Sequence, residues 1–152
     1  MVMGLYLMDN VLFLTTFHFR SRTSTPEVYI RQSHLDLTVI LNKPEHHGSL
    51  VVCPDLEMNY WLLLYCPVRA WCSHSFNTPF VSQRIQETRE FVLENKFLPA
   101  WKNRNVIFIL PKYISPEKFP QFHEMLAKQN ALWIHSNSDY EVYRYTPVSN
   151  SK

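Results

Sequence analysis

Cysteine, histidine and lysine give this chain its chemical reach, and their spacing limits what they can do. Cys66, Cys72 and His74 lie close together in sequence, with Cys53 or His135 as a fourth member. Thiolate and imidazole are zinc's preferred ligands, and a structural site needs four of them in a tetrahedron. The run Cys-x5-Cys-x-His lacks the two tight pairs of a zinc motif, so these residues read as core or loop side chains and no metal is expected. A second arrangement makes Cys66 a nucleophile. If residues 60–66 form a strand, Cys66 ends it, and Lys112-Tyr113 and His135-Ser136 end two neighbouring parallel strands, where α/β sheets place ligands. A thiolate beside imidazole and ammonium is activated. No orienting carboxylate or oxyanion loop accompanies the set, so a cysteine enzyme using Cys66 and His135 ranks behind non-catalytic readings.

Carboxylates and histidines elsewhere fall short in similar ways. Pro54-Asp55-Leu56-Glu57 resembles the opening of a restriction-type nuclease motif, yet the acid-x-lysine that should follow on a strand is missing. Glu94-Asn95-Lys96 has those letters inside a predicted helix. His34-Leu35-Asp36-Leu37-Thr38 departs from the histidine-x-threonine element of two-histidine phosphoesterases, and with His135-Ser136 it cannot set both groups on one strand face. His46-His47 reads as a solvated pair in an exposed loop. Composition excludes more. Glycine occurs only twice, at Gly4 and Gly48, where average usage of about 7% predicts roughly ten. Phosphate-cradling loops, dinucleotide fingerprints and nucleophile elbows all need glycine and cannot be written here. No cofactor is expected.

What remains is surface for binding. Aromatic residues reach 14% and charged residues only 18%. The loop Pro67–Pro79 carries Arg69, Trp71, His74 and Phe76 between prolines, a segment whose ordering costs little and whose side chains include common interface anchors. Another protein is therefore the expected partner, for an adaptor, accessory protein or complex subunit. Nucleic acid is the alternative. Basic and aromatic residues interleave at Trp101, Lys102 and Arg104, and again at Tyr143, Arg144 and Tyr145, where rings would stack bases while cations hold phosphate. A formal charge of +2 does not by itself indicate nucleic acid. The basic loop Arg20–Pro26 reads as a solvated linker.

These residues need elements to hold them. Val106-Ile107-Phe108-Ile109-Leu110 is an unbroken apolar run and reads as a strand buried on both faces. Ser115-Pro116-Glu117 starts a helix whose buried stripe is Phe119, Phe122 and Leu126. Ala131 to His135 follows as a strand, completing a βαβ unit over 106–135. Residues 136–139 turn the chain, and Tyr140–Tyr145 returns as a hairpin. Leu5–Leu7 and Val11–Phe19 suggest an N-terminal antiparallel meander, and Val28–Arg31, Leu35–Leu41, Leu50–Cys53 and Tyr60–Cys66 further strands. Thr78-Pro79 opens a helix running to about Leu98, giving a second βαβ unit over 60–110. The expected fold is α/β, bordering on α+β, with a mixed sheet, in a single globular domain over 1–146 with a frayed tail over 147–152. No apolar run reaches the length of a membrane span and no signal peptide is evident, so an intracellular place, cytoplasm or nucleus, is expected, with no membrane partner.

Overall fold

The computed structural model describes residues 31–73, 78–113 and 119–147. The chain divides into two compact units, Met1–Leu35 and Asp36–Lys152. The expected N-terminal meander, the Arg20–Pro26 loop, His74 and Phe76 and the last five residues lie outside the described residues.

Four helices and five strands make up the described part: α1 (Gln32–Leu41), β1 (Leu50–Val52), α2 (Leu56–Tyr65), β2 (Arg69–Ala70), α3 (Val81–Glu94), β3 (Val106–Pro111), α4 (Phe119–Lys128), β4 (Leu132–Ser136) and β5 (Tyr140–Tyr145). The strands form one mixed sheet in the order β2-β1-β3-β5-β4. β1 pairs in parallel with β2 and β3, and β5 runs antiparallel to both β3 and β4. The fold is α/β, as the sequence indicates.

Side chains alternate across the sheet and feed two cores. Leu50, Val52, Val106, Phe108 and Leu110 pack on one face beneath α3 and α4, with Phe91 and Phe122. Val51, Ile107 and Ile109 pack on the other face beneath α1 and α2, with Leu37, Leu41, Met58 and Leu62. Every residue of β3 is buried, as its unbroken apolar run requires. Trp101 anchors the first core, ringed by Trp71, Phe91, Phe97 and Phe108 at centroid distances of 5.3–5.8 Å.

Two expected strands are helices. Residues 35–41 alternate in sequence like a strand, which would align Leu37, Val39 and Leu41. In the structure Leu37 and Leu41 are wholly buried while Val39 is 70% exposed, the spacing of a helix. Tyr60–Tyr65 belongs to α2, with Cys66 as its C-cap, and the start of the helix is fixed by Asp55, whose Oδ1 accepts the Met58 N–H at 3.0 Å. The βαβ unit expected over 60–110 is therefore replaced by β1–α2–β2. The unit over 106–135 is present in altered form. Its strands β3 and β4 run parallel but are not neighbours, because β5 inserts between them. Helix α3 stops at Glu94 rather than near Leu98, since Asn95 takes a left-handed conformation with φ 54°.

Candidate functional site

The parallel strands set the geometry. The chain leaves β1 toward α2 on one face of the sheet and leaves β3 toward α4 on the other. Connections that part in opposite directions open a crevice at the carboxyl ends of the strands between them, the place where α/β sheets take ligands.

A polar cluster sits at that end of the sheet. Asp55 Oδ2 accepts hydroxyl hydrogen bonds from Tyr113 at 2.7 Å and Tyr140 at 3.1 Å. The buried Tyr140 phenol is pushed far above its ordinary value, first by burial and then by the Asp55 charge, so it stays protonated and donates. Lys112 Nζ donates to Ser136 Oγ at 2.8 Å and to the Asn137 carbonyl at 2.6 Å. Asn137 Oδ1 accepts the N–H groups of Asp139 and Tyr140, shaping the β4–β5 turn. A serine whose oxygen accepts from the Lys112 side chain is engaged as an acceptor and is not activated as a nucleophile. These groups brace loops. A second cluster joins Glu141, Tyr143 and His123: Tyr143 Oη donates to Glu141 Oε2 at 2.7 Å, and His123 Nε2 lies 2.8 Å from the same oxygen.

Beside the polar cluster lies an apolar pocket of about 350 Å³, lined among the described residues by Pro54, Leu56, Cys72, Ile85, Thr88, Arg89, Val92 and Leu93. Pro54 follows β1 and Cys72 follows β2, so the pocket opens at the carboxyl ends of these strands against α3. A narrower depression shares Pro54 and Val92 and reaches Leu110, Pro111, Phe119 and Phe122 beyond the end of β3.

No known protein family, curated protein or solved structure matches the chain. Function must be read from the residues themselves.

The cysteine arrangement does not assemble. Cys66 caps the C-terminus of α2 at the amino ends of the parallel strands, where Pro67 accepts the Gly48 N–H at 2.7 Å. His135 pairs with Val142 toward the opposite end, and β5 separates its strand from β3. Burial raises the thiols of Cys53, Cys66 and Cys72 alike, which disfavours thiolate. Cys72 packs on one face of the sheet and Cys53 and Cys66 on the other, so they cannot share an ion. No group of three histidine, cysteine, aspartate or glutamate side chains among the described residues could hold a metal. Asp55 is tied up with tyrosines, and Glu94 belongs to α3. His46 is buried rather than solvated, and burial lowers its basicity.

The expected binding residues scatter too. Trp71 is only 7% exposed and packs edge-on against Trp101, with the Arg84 guanidinium 4.3 Å from its ring centroid. Burial removes it as an interface anchor, while Arg69 is exposed. On the nucleic-acid side, Trp101, Tyr143 and Tyr145 are buried and Arg144 pairs with Glu45 at 3.3 Å. Lys102 and Arg104 are exposed, while the rings nearest Lys102 in sequence and by hydrogen bond, Trp101 and Tyr145, are buried. Sequence reading missed the outer side of α2, where Tyr60, Leu63, Leu64 and Tyr65 are exposed. Its signal was present: Leu56–Tyr65 contains a single charged residue, Glu57. No helix among the described residues is long and apolar enough to cross a membrane.

Proposed function

We propose that this domain is a non-catalytic protein-binding module, an adaptor or a subunit of a larger assembly, and that its contact face is the outer side of α2. One observation supports this reading: α2 is apolar on both sides. Its inner side buries Met58 and Leu62 in the core, and its outer side leaves Tyr60, Leu63 and Leu64 in water at helical spacing. A helix that is hydrophobic all round is normally covered on all sides, and clustered exposed apolar residues mark contact sites. Trp61 stiffens the face: its indole N–H donates to Thr38 Oγ1 at 3.1 Å and its ring lies 4.1 Å from that of Tyr65. Exposed Val39 follows Thr38 in sequence and extends the apolar surface onto α1.

The matching surface belongs to another protein and is itself apolar and uncharged, since a charge pressed against this face would lose water without gaining a partner. Nucleic acid fits less well, because an apolar stripe offers phosphate nothing. The test is the double substitution Leu63→Gln with Leu64→Gln. Thermal melting should stay within about 2 °C of wild type, as expected for exposed positions. Partners recovered with wild type and identified by cross-linking to this face should be lost. Retention of those partners by the double variant refutes the assignment, as does a large fall in melting temperature, which would mean that the face is covered within the chain.

A further inference from the structure

A different feature, on the opposite side of the sheet from α2's core contacts, supports a second site. We propose that the pocket at the carboxyl ends of β1 and β2 binds a small amphiphilic carboxylate, with its apolar body among Ile85, Val92 and Leu93 and its carboxylate on Arg89. The volume of about 350 Å³ falls within the usual range for small-molecule sites and would hold a short-chain acid or a compact aromatic acid. Position supports it as well: the chain leaves β1 toward α2 on one face of the sheet and β2 toward α3 on the other, and α/β sheets take ligands where connections part in this way.

Charge selects the ligand class. Ile85, Thr88, Arg89, Val92 and Leu93 share one side of α3 at spacings of three and four residues, so Arg89 is the one charged residue of that stripe. Its neighbours along the helix have partners: Glu87 accepts from Gln83, Glu90 pairs with Lys96, and Arg84 donates to the Trp71 carbonyl at 2.8 Å. Arg89 has no hydrogen-bond or ion-pair partner among the described residues. Its guanidinium fork is preorganised for two oxygens of a carboxylate. The buried Thr88 hydroxyl donates to the Arg84 carbonyl at 2.8 Å and keeps acceptor capacity toward a protonated or hydroxylated group. A second cation stands nearby: burial raises the Cys72 thiol, and the Arg84 charge opposes that shift. The thiol stays protonated, and binding is non-covalent.

Octanoate and octanol are the probes, because they share an apolar tail and differ in the charge. Calorimetric titration of the full chain should show saturable octanoate binding to wild type. Arg89→Gln should weaken octanoate at least tenfold and leave octanol binding unchanged, while its melting temperature stays at the wild-type value because Arg89 is exposed. Leu93→Trp, placed at the exposed rim where it should not disturb folding, should weaken both probes by crowding the pocket. Absence of octanoate binding to wild type overturns the proposal. So does equal octanoate affinity in wild type and Arg89→Gln, or octanoate binding unaffected by Leu93→Trp.

Discussion

Trp71 decides whether the segment after α2 is an interface loop or part of the core. Replacing it with alanine removes a nearly buried indole that packs edge-on against Trp101 at 5.8 Å and lies under the Arg84 guanidinium. Large aromatic-to-alanine changes in a core cost about 3–5 kcal/mol, and loss of an aromatic pair accounts for about 0.5–1.5 kcal/mol within such a total. Against a typical whole-domain stability of about 5–15 kcal/mol, that is a large fraction. The expected fall in melting temperature is about 10–15 °C. Arg69→Ala, on an exposed residue of the same segment, should change stability by no more than about 0.5 kcal/mol. Trp71→Phe sharpens the comparison. It keeps a ring in place and deletes the Trp71 Nε1 donor, which is buried without an acceptor among the described residues. A buried unsatisfied donor costs about 1–3 kcal/mol, so its removal offsets much of the lost volume, and Trp71→Phe should melt far closer to wild type than Trp71→Ala. Thermal unfolding followed by tryptophan fluorescence and by circular dichroism would measure all three. A Trp71→Ala variant melting within about 3 °C of wild type would refute the core placement and restore this side chain as an interface candidate.

Two further expectations follow from the buried polar groups. Asp55→Ala removes the α2 cap and the carboxylate acceptor of the Tyr140 hydroxyl, for a combined loss of about 2–4 kcal/mol, whereas Tyr113→Phe, at an exposed ring, should cost less than about 1 kcal/mol; equal losses in denaturant titrations would contradict the network. His46 gives a pH signature: burial lowers its basicity below the ordinary 6.5, so the unfolded chain takes the proton first. Its contribution to stability is present above pH 6.5 and is lost as pH falls below it, so wild type should lose stability relative to His46→Gln between pH 7 and pH 5.5; a stability difference constant across that range would show that His46 does not titrate differently on folding.

Much of the architecture was legible because some segments carry one unambiguous pattern. Val106–Leu110 is too short and too apolar for anything but a buried strand, and the turn at Asn137–Asp139 has the residues that turns demand. α1 and α2 were misread for a shared reason. Their apolar residues lie on both sides, so neither a period of two nor one of 3.6 stands out, and β-branched or aromatic content tips the reading toward strand. Asp55 after Pro54 was the overlooked helix start. Site residues were harder still. Trp71, Trp101, Tyr143 and Tyr145 have the composition of an exposed binding face, yet their burial follows from tertiary packing that local spacing does not encode. Arg89 could not be singled out in advance, because its meaning depends on the pocket that α3 makes with Pro54 and Cys72.

The order β3-β5-β4 also bears on how the protein must be made. The strand that occupies the interior position beside β3 is the last of the five to leave the ribosome. Until residues 140–145 are synthesised, the all-buried strand Val106–Pro111 has one open edge, and β4 has no neighbour in the sheet. An exposed apolar edge of this kind pairs readily with other chains. Completion of the sheet is therefore tied to the end of this stretch of translation rather than to the emergence of its first strands. A message cut between the codons for Ser136 and Tyr140 would yield an aggregating product, although it still encodes all four helices and the other four strands described here.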